Sequence, residues 1–166
     1  MRFHRLTSDI WVPRPIEAVF GFFADATNLE QLTPPWLRFR ILTPMPVEMR
    51  EGTLIDYRIR LHGVPLRWQT EISAWEPPFR FVDEQRRGPY RLWRHEHFFT
   101  AIDGGTAIRD EVRFVSPGGI LEPLIHRCLV RGDVQRIFEY RQARLGVCFG
   151  QPSSPTRDGG SQVVVV

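Results

Sequence analysis

The chain has 166 residues, of which 42% are hydrophobic and 25% are charged, and its formal net charge is +3. This composition is typical of a globular protein and excludes collagen-like, coiled-coil and wholly disordered chains. The length predicts one domain with a core large enough to surround a cavity.

The first part of the chain predicts one strand and two short helices. Residues 3–12 alternate weakly between apolar and polar side chains and predict a strand, which two prolines end. Residues 16–24 show the apolar spacing of an amphipathic helix, which begins directly after Pro15. A second short helix is predicted over residues 25–31, before another pair of prolines.

The middle of the chain predicts six further strands, and the part that follows predicts one long helix. Breaks that contain glycine or proline separate the strands, which cover residues 37–42, 53–61, 64–75, 79–86, 90–102 and 106–115. Helical spacing then runs over residues 120–147. Residues 151–166 are predicted to form a disordered tail, so residues 1–150 are predicted to be the folded domain.

This order of elements predicts the fold. Consecutive strands joined by short turns are antiparallel neighbours, and a large antiparallel sheet curls. The long helix is the only predicted element large enough to cover the apolar face of that sheet. We therefore predict an α+β fold, with a seven-stranded curved antiparallel sheet, two short helices after strand 1, and a long C-terminal helix over a cavity.

The alternation of side chains predicts which residues face this cavity. In residues 106–115, Asp110 shares a face with apolar residues, whereas the opposite face carries charged ones. A two-residue turn at Gly104–Gly105 would pair His97 with Val112, so that Asp110 lies diagonal to His97. In the preceding hairpin, a three-residue turn would pair Phe81 with His95. A two-residue turn at residues 62–63 would pair Tyr57 with Trp68.

The predicted inner face combines large aromatic residues with a few polar ones. Buried polar groups are costly unless they have partners. An apolar pocket with convergent polar groups is typical of a small-molecule site. The candidate ligand-binding residues are the aromatic Tyr57, Trp68, Phe81, Trp93, Phe99 and Phe114 and the polar Asp83, Gln85, His95, His97 and Asp110.

Three kinds of chemistry fit these polar residues. Two imidazoles and a carboxylate are a known metal ligand set, but no second motif supports a metal here, and we predict no metal and no other cofactor. A histidine–aspartate pair could instead act in general acid–base catalysis, with His95 or His97 beside Asp110. We favour a third interpretation, in which the polar groups orient a bound hydrophobic molecule without reacting with it.

The predicted long helix has a core-facing stripe and several arginines. Its apolar residues recur every three to four positions, at Leu121, Leu124, Ile125, Cys128, Ile137, Phe138 and Leu145, and Arg141 shares their spacing. The arginines are nevertheless expected mostly on solvated faces: Arg127, Arg131, Arg136, Arg141 and Arg144.

Three segments of the chain resemble the SRPBCC superfamily, also called START-like or helix-grip proteins, over about residues 3–147. These segments are VPRPIEAVFGFFADATNLEQLTPPWLRF, FVDEQRRGPYRLWRHEHFF and GTAIRDEVRF. The chain is similar to a bacterial ligand-binding, polyketide cyclase-like subgroup whose pattern is matched here by Asp83, Gln85, Gly88, Pro89, Trp93, His95, His97 and Phe99.

This resemblance implies the helix-grip fold and a hydrophobic cavity. It leaves two functions open, because the superfamily contains both carriers and enzymes such as cyclases, dehydratases and isomerases. Some members of the subgroup occur beside nucleotide-sugar epimerase-like domains. A third interpretation is therefore an interaction module for an epimerase-like enzyme.

The expected partner is a small hydrophobic or aromatic molecule of the lipid, polyketide or isoprenoid type. All 22 basic residues are arginines, which suit phosphate, but they are spread along the chain and interleaved with acidic residues. Because they form no binding stripe, we expect no nucleic acid. We expect no membrane insertion, because no apolar run approaches the roughly 20 residues of a membrane helix. The N-terminus lacks the apolar core of a signal peptide, so a cytoplasmic location is predicted. The expected assembly is a monomer or a homodimer.

Overall fold

The computed structural model describes residues 2–150 and 162–165. Within these residues, eight strands form one antiparallel sheet in the order β2-β3-β4-β5-β6-β7-β1-β8. The strands are β1 (His4–Val12), β2 (Arg40–Ile41), β3 (Leu54–Leu61), β4 (Val64–Glu76), β5 (Arg80–Arg87), β6 (Leu92–Ile102), β7 (Gly105–Val115) and β8 (Gln162–Val165).

Two groups of helices pack against this sheet. Between β1 and β2 lie α1 (Ile16–Ala24), α2 (Asn28–Leu32) and a short 3-10 turn. After β7, the predicted long helix is present as α3 (Glu122–Ile125), a π-helical turn (His126–Val130) and α4 (Arg131–Phe149). The predicted α+β helix-grip fold is therefore confirmed. In the described part of the chain, no helix combines the length and the apolar character needed to cross a membrane.

The sheet has one strand more than predicted. β8 pairs antiparallel with β1, and Val165 packs against Leu6 in the core. The prediction of a disordered tail over residues 151–166 is therefore wrong for Gln162–Val165, whereas residues 151–161 and 166 lie outside the described residues. The physical reason is that β1 offers an unpaired edge, and a run of β-branched valines satisfies its backbone groups.

The apolar core is divided into two clusters that leave space between them. In one cluster, Phe20 and Phe23 of α1 pack against Phe81 and Phe99 of the sheet. In the other cluster, Phe138 of α4 packs with Leu6 of β1, with Val112 and Phe114 of β7, and with Val130 and Val134 of the C-terminal helical segment. A curved sheet that is covered by helices at both ends encloses the volume in the middle.

The hairpin between β6 and β7 corrects the predicted register by two residues. The turn residues are Asp103 and Gly104, with φ angles of 53° and 73°, rather than Gly104 and Gly105. Asp-Gly is a preferred pair in turns that need positive φ at both central positions. His97 consequently lies directly opposite Asp110, and His95 lies opposite Val112.

The hairpin between β5 and β6 also differs by two residues, whereas the hairpin between β3 and β4 has the predicted pairing of Tyr57 with Trp68. Phe81 lies opposite His97, and Asp83 lies opposite His95. The connection covers residues 88–91 instead of the three predicted residues. Within it, Gln85 Nε2 donates a hydrogen bond to the backbone carbonyl of Tyr90 at 2.7 Å. A shift of two preserves which face each side chain occupies.

Candidate functional site

A cavity of about 190 Å³ lies between the inner face of the sheet, α2 and α4. Its walls are mostly apolar, and polar side chains gather at one end. Seven of the eleven candidate residues line it, namely Tyr57, Trp68, Phe81, Asp83, Trp93, His95 and His97. Further lining side chains that were not among the candidates include Phe23, Leu32, Phe39, Ile55, Tyr90, Ile137 and Arg141.

The other four candidates lie beside the cavity rather than in its wall. Phe99 and Phe114 are fully enclosed in the two core clusters. Gln85 supports the loop between β5 and β6, and Gly88 leaves room for its side chain, because a Cβ there would collide with it. Asp110 lies behind the histidines and is buried. None of these four side chains forms part of the cavity wall. That they contact a ligand directly remains a prediction.

Aromatic rings form the wall away from the polar end. Tyr57 and Trp68 are stacked with ring centroids 5.8 Å apart, and Trp93 meets Trp68 edge-on at 5.6 Å. The Tyr57 hydroxyl and the Thr70 hydroxyl are 3.2 Å apart. Tyr57, Trp68 and Trp93 come from β3, β4 and β6, one from each strand. Each occupies a position whose side chain points to the inner face of the sheet. The wall offers flat surfaces for stacking.

The polar end consists of Asp83, His95, His97, Asp110 and Arg141. His97 lies between two carboxylates, with Nε2 at 2.7 Å from Asp83 Oδ2 and Nδ1 at 2.8 Å from Asp110 Oδ1. His95 Nε2 lies 3.1 Å from the same Asp110 oxygen, and its Nδ1 lies 3.6 Å from Asp83 Oδ2. His95 Nδ1 is thus the one nitrogen of the pair that has no carboxylate within hydrogen-bonding distance among the described residues.

Arg141 shares the core-facing spacing of the helix but was also counted among the arginines expected mostly on solvated faces, and for Arg141 the solvated placement is wrong. Its side chain is buried, and its Nε donates to Asp110 Oδ2 at 3.1 Å while the guanidinium lies over the Phe23 ring at 5.2 Å. The spacing of Val134, Phe138, Arg141 and Leu145 is the signal that identifies it, because all four are buried on one face of α4. An arginine at a core-facing position needs a buried acid, and Asp110 supplies one.

The pKa values at the polar end follow from burial and charge. Burial lowers the pKa of His97, but its hydrogen bonds to Asp110 and Asp83 outweigh that effect and raise the pKa above its ordinary value. Burial lowers the pKa of His95, and positive charge on His97 lowers it further. Burial raises the pKa of Asp110, but Arg141 and the two histidines hold it well below the ordinary range.

These directions are opposite within the histidine pair, so protonation is favoured at His97 and disfavoured at His95. A protonated His97 would donate to both carboxylates. Asp83 stays ionised, because the contacts with both histidines lower its pKa despite its burial. Arg141 and the two histidines surround the two buried carboxylates, and buried charges need such partners in a protein interior.

A second buried histidine pair lies away from the cavity, and no sequence pattern predicted it. His4 of β1 and His126 of the π-helical turn are stacked with ring centroids 3.4 Å apart. His4 Nε2 lies 2.7 Å from Glu122 Oε1, and His126 Nδ1 lies 3.1 Å from the Ser116 hydroxyl. This cluster fastens the start of the C-terminal helical segment to β1. It does not contact the cavity.

The chain shares sequence features with one described family. The model of the polyketide cyclase/dehydrase and lipid transport family matches residues 12–129. No curated protein matches the chain.

Solved structures share the fold at low sequence identity. The Zhui aromatase/cyclase from Streptomyces sp. R1128 is 14% identical with a TM-score of 0.63, over 96% of this chain and 99% of that one. Ara h 8.0201 is 18% identical with a TM-score of 0.55, over 87% and 99%. A nucleoside-diphosphate sugar epimerase from Corynebacterium glutamicum is 24% identical with a TM-score of 0.56, over 84% of this chain and 28% of that one. These likenesses show the fold alone.

Proposed function

The chain belongs to the polyketide cyclase/dehydrase and lipid transport family, and we propose that it binds a small, flat, largely apolar molecule in the cavity. The observation that carries this proposal is the cavity itself, with aromatic rings at one side and Asp83, His95, His97 and Arg141 at the other. A cavity of about 150 Å³ lined by Leu, Ile and Phe is large enough for benzene. The volume here, about 190 Å³, suits a ligand with one or two rings.

The polar end favours a ligand that donates a hydrogen bond. Asp83 is ionised and retains 20% exposure of its side chain, and His95 Nδ1 is a free acceptor beside it. Both groups accept hydrogen bonds, so a hydroxyl or phenol fits them better than a carboxylate, which would place a third negative charge there. We infer that the ligand is a neutral hydroxylated molecule of the polyketide, isoprenoid or lipid type.

Native mass spectrometry tests this proposal. The purified protein is incubated with an organic-soluble cell extract, and its mass is recorded under native and then denaturing conditions. We expect a 1:1 small-molecule adduct that denaturation removes. Ile137→Trp would fill the cavity from α4 and should abolish the adduct, whereas Val147→Trp, on an exposed position of the same helix, should retain it. The proposal is contradicted if no adduct forms, or if Ile137→Trp carries it equally.

A second function, acid–base catalysis in the same cavity, is favoured by one observation. His95 donates from Nε2 to Asp110 and leaves Nδ1 beside the cavity, so Asp110 would position the ring while His95 accepts a proton. His97 is held on both sides by carboxylates and would supply charge rather than transfer a proton. The reaction would be a cyclisation, dehydration or isomerisation of the hydroxylated ligand.

Replacing His95 separates binding from catalysis. In a catalyst, His95→Gln would keep ligand affinity within a few-fold, because the glutamine side-chain oxygen can still accept the ligand's hydrogen bond. It would remove turnover, because an amide does not take up the proton. The rate of the parent protein would fall with pH below the pKa of His95, which burial depresses. A carrier would show no turnover of any bound ligand in either protein.

A further inference from the structure

We propose that Asp83, His95 and His97 form a binding site for one divalent transition-metal ion, of the zinc or ferrous class, at the polar end of the cavity. The ligand atoms would be Asp83 Oδ2, His95 Nδ1 and His97 Nε2. Metal binding needs no organic ligand, so the inference goes beyond the proposed function and is tested independently of it.

The separations of these atoms are close to those that a metal requires. Asp83 Oδ2 lies 2.7 Å from His97 Nε2 and 3.6 Å from His95 Nδ1, and one ligand atom from each of the three residues lies within 4.8 Å of the others. Zinc binds nitrogen and oxygen at about 2.0–2.2 Å, so two ligand atoms of a tetrahedral site are about 3.3 Å apart. The Asp83–His97 separation would have to widen by about 0.6 Å and the Asp83–His95 separation to shorten by about 0.3 Å to admit the ion.

The strand geometry brings the three side chains together without strain. His95 and His97 are two residues apart on β6 and therefore share its inner face. Asp83 lies directly opposite His95 on β5, which places its carboxylate beside both rings. Side chains on paired strands are held more firmly than side chains on loops, and firm placement favours tight metal binding.

Asp110 supports both histidines from the side away from Asp83. A histidine that binds a metal through one nitrogen usually donates from the other nitrogen to a carboxylate. Here the far nitrogens of both rings meet the same oxygen, with Asp110 Oδ1 at 3.1 Å from His95 Nε2 and at 2.8 Å from His97 Nδ1. Arg141 holds the other oxygen of Asp110 at 3.1 Å. This arrangement directs the remaining nitrogens, His95 Nδ1 and His97 Nε2, toward Asp83.

The charges and the surroundings indicate a site with an open position. With neutral imidazoles, Asp83, Asp110 and Arg141 carry one net negative charge, so a divalent ion would leave one positive charge for a hydroxide or a ligand oxygen. Two histidines and a carboxylate that leave other positions free are the donor set of zinc hydrolases and of non-haem iron sites. The free positions would face the cavity, where a hydroxyl of the ligand could bind.

Metal titrations of the chelator-treated protein test the site. Co²⁺ reports its ligands through its visible absorption, and Zn²⁺ affinity follows from competition with a coloured chelator. We expect one ion per chain in the parent protein, and loss of that 1:1 binding in Asp83→Asn and in His97→Gln. Asp110→Asn should weaken binding by about 10–100-fold and change the Co²⁺ spectrum, because it removes the support behind both rings.

The second histidine cluster provides the matched control. His4, Glu122 and His126 are also buried together and close enough to hold an ion, so His126→Gln removes a comparable buried histidine elsewhere. We expect His126→Gln to bind metal like the parent. The inference is overturned if the parent binds no stoichiometric ion, or if His126→Gln removes binding while Asp83→Asn retains it.

Two further measurements keep the result interpretable. Thermal unfolding of each metal-free variant shows whether it folds, and Asp83→Asn preserves shape at a partly exposed position. Binding of an apolar probe such as 2-naphthol is measured in the same chelator-treated protein. Probe binding without metal binding would refute the metal site and leave the proposed function standing. Metal binding without probe binding would support the metal site and contradict the proposed function.

Discussion

Replacement of Arg141 by methionine should destabilise the protein by about 3 kcal/mol. Methionine retains much of the packing of the arginine stem, so the change mainly removes the charge that faces Asp110. Both side chains are at most 10% exposed, and their closest contact is 3.1 Å. Loss of one partner of a buried ion pair typically costs about 3–5 kcal/mol. We expect the lower value, because His97 still contacts Asp110.

Urea denaturation followed by tryptophan fluorescence measures this change. The midpoint should fall with an unchanged m-value, and the melting temperature should fall by about 6–12 °C. Arg136→Met is the matched control, since Arg136 is exposed on the same helix and its guanidinium lies over the Trp36 ring at 5.3 Å. Its loss should cost less than about 1 kcal/mol.

A double-mutant cycle identifies the partner. If the pair is coupled as the structure shows, Arg141→Met should cost far less in a protein that already carries Asp110→Asn, with a coupling energy of about 1–3 kcal/mol. The reasoning is refuted if the two changes are additive, or if Arg141→Met destabilises no more than Arg136→Met.

Three further predictions concern the rest of the fold. The pKa of His126 is lowered by burial and by the positive charge of His4, so the unfolded chain binds its proton more readily, and stability should fall as the pH drops from about 7 to 5. The midpoint in urea should depend less on pH in His126→Asn, and an unchanged dependence would contradict this assignment. Gly104→Ala should cost about 1 kcal/mol by thermal unfolding, because φ is 73° there while the space around it is open; a neutral effect would exclude backbone strain. Val165→Ala should lower the free energy of unfolding by about 1–2 kcal/mol in the same assay, because Val165 packs on Leu6. An unchanged stability would contradict this packing.

The faces of the strands could be predicted from the sequence because alternation has a period of two. Two hairpins were assigned turns that were wrong by two residues in register, and an error of two leaves each side chain on its predicted face. Asp83, His95, His97 and Asp110 were therefore identified together, although their direct partners were not. The Asp-Gly pair at residues 103–104 was the available signal for the correct turn.

Three features depend on contacts between segments that lie far apart in the chain. Arg141 is buried because an acid from β7 meets it, 31 residues earlier in the chain, and its spacing with Phe138 and Leu145 was the only local sign. β8 forms because the edge of β1 is free to pair with it, and residues 162–165 alone do not reveal that edge. The His4–His126 stack likewise joins two segments that are distant in sequence.

In the proposed binding mode, the cavity holds a flat apolar molecule whose hydroxyl meets Asp83 and His95. Titration with 2-naphthol tests this binding mode, because Trp68 and Trp93 line the cavity and their fluorescence should be quenched in a saturable 1:1 manner. Hydrogen bonds to charged groups contribute about 1.5–3 kcal/mol, so 2-methoxynaphthalene and the Asp83→Asn variant should each bind about 10–100-fold more weakly. Ile137→Trp should remove saturable quenching, and Val147→Trp should not. Equal affinity for the two naphthalenes, or unchanged binding by Ile137→Trp, would contradict this binding mode.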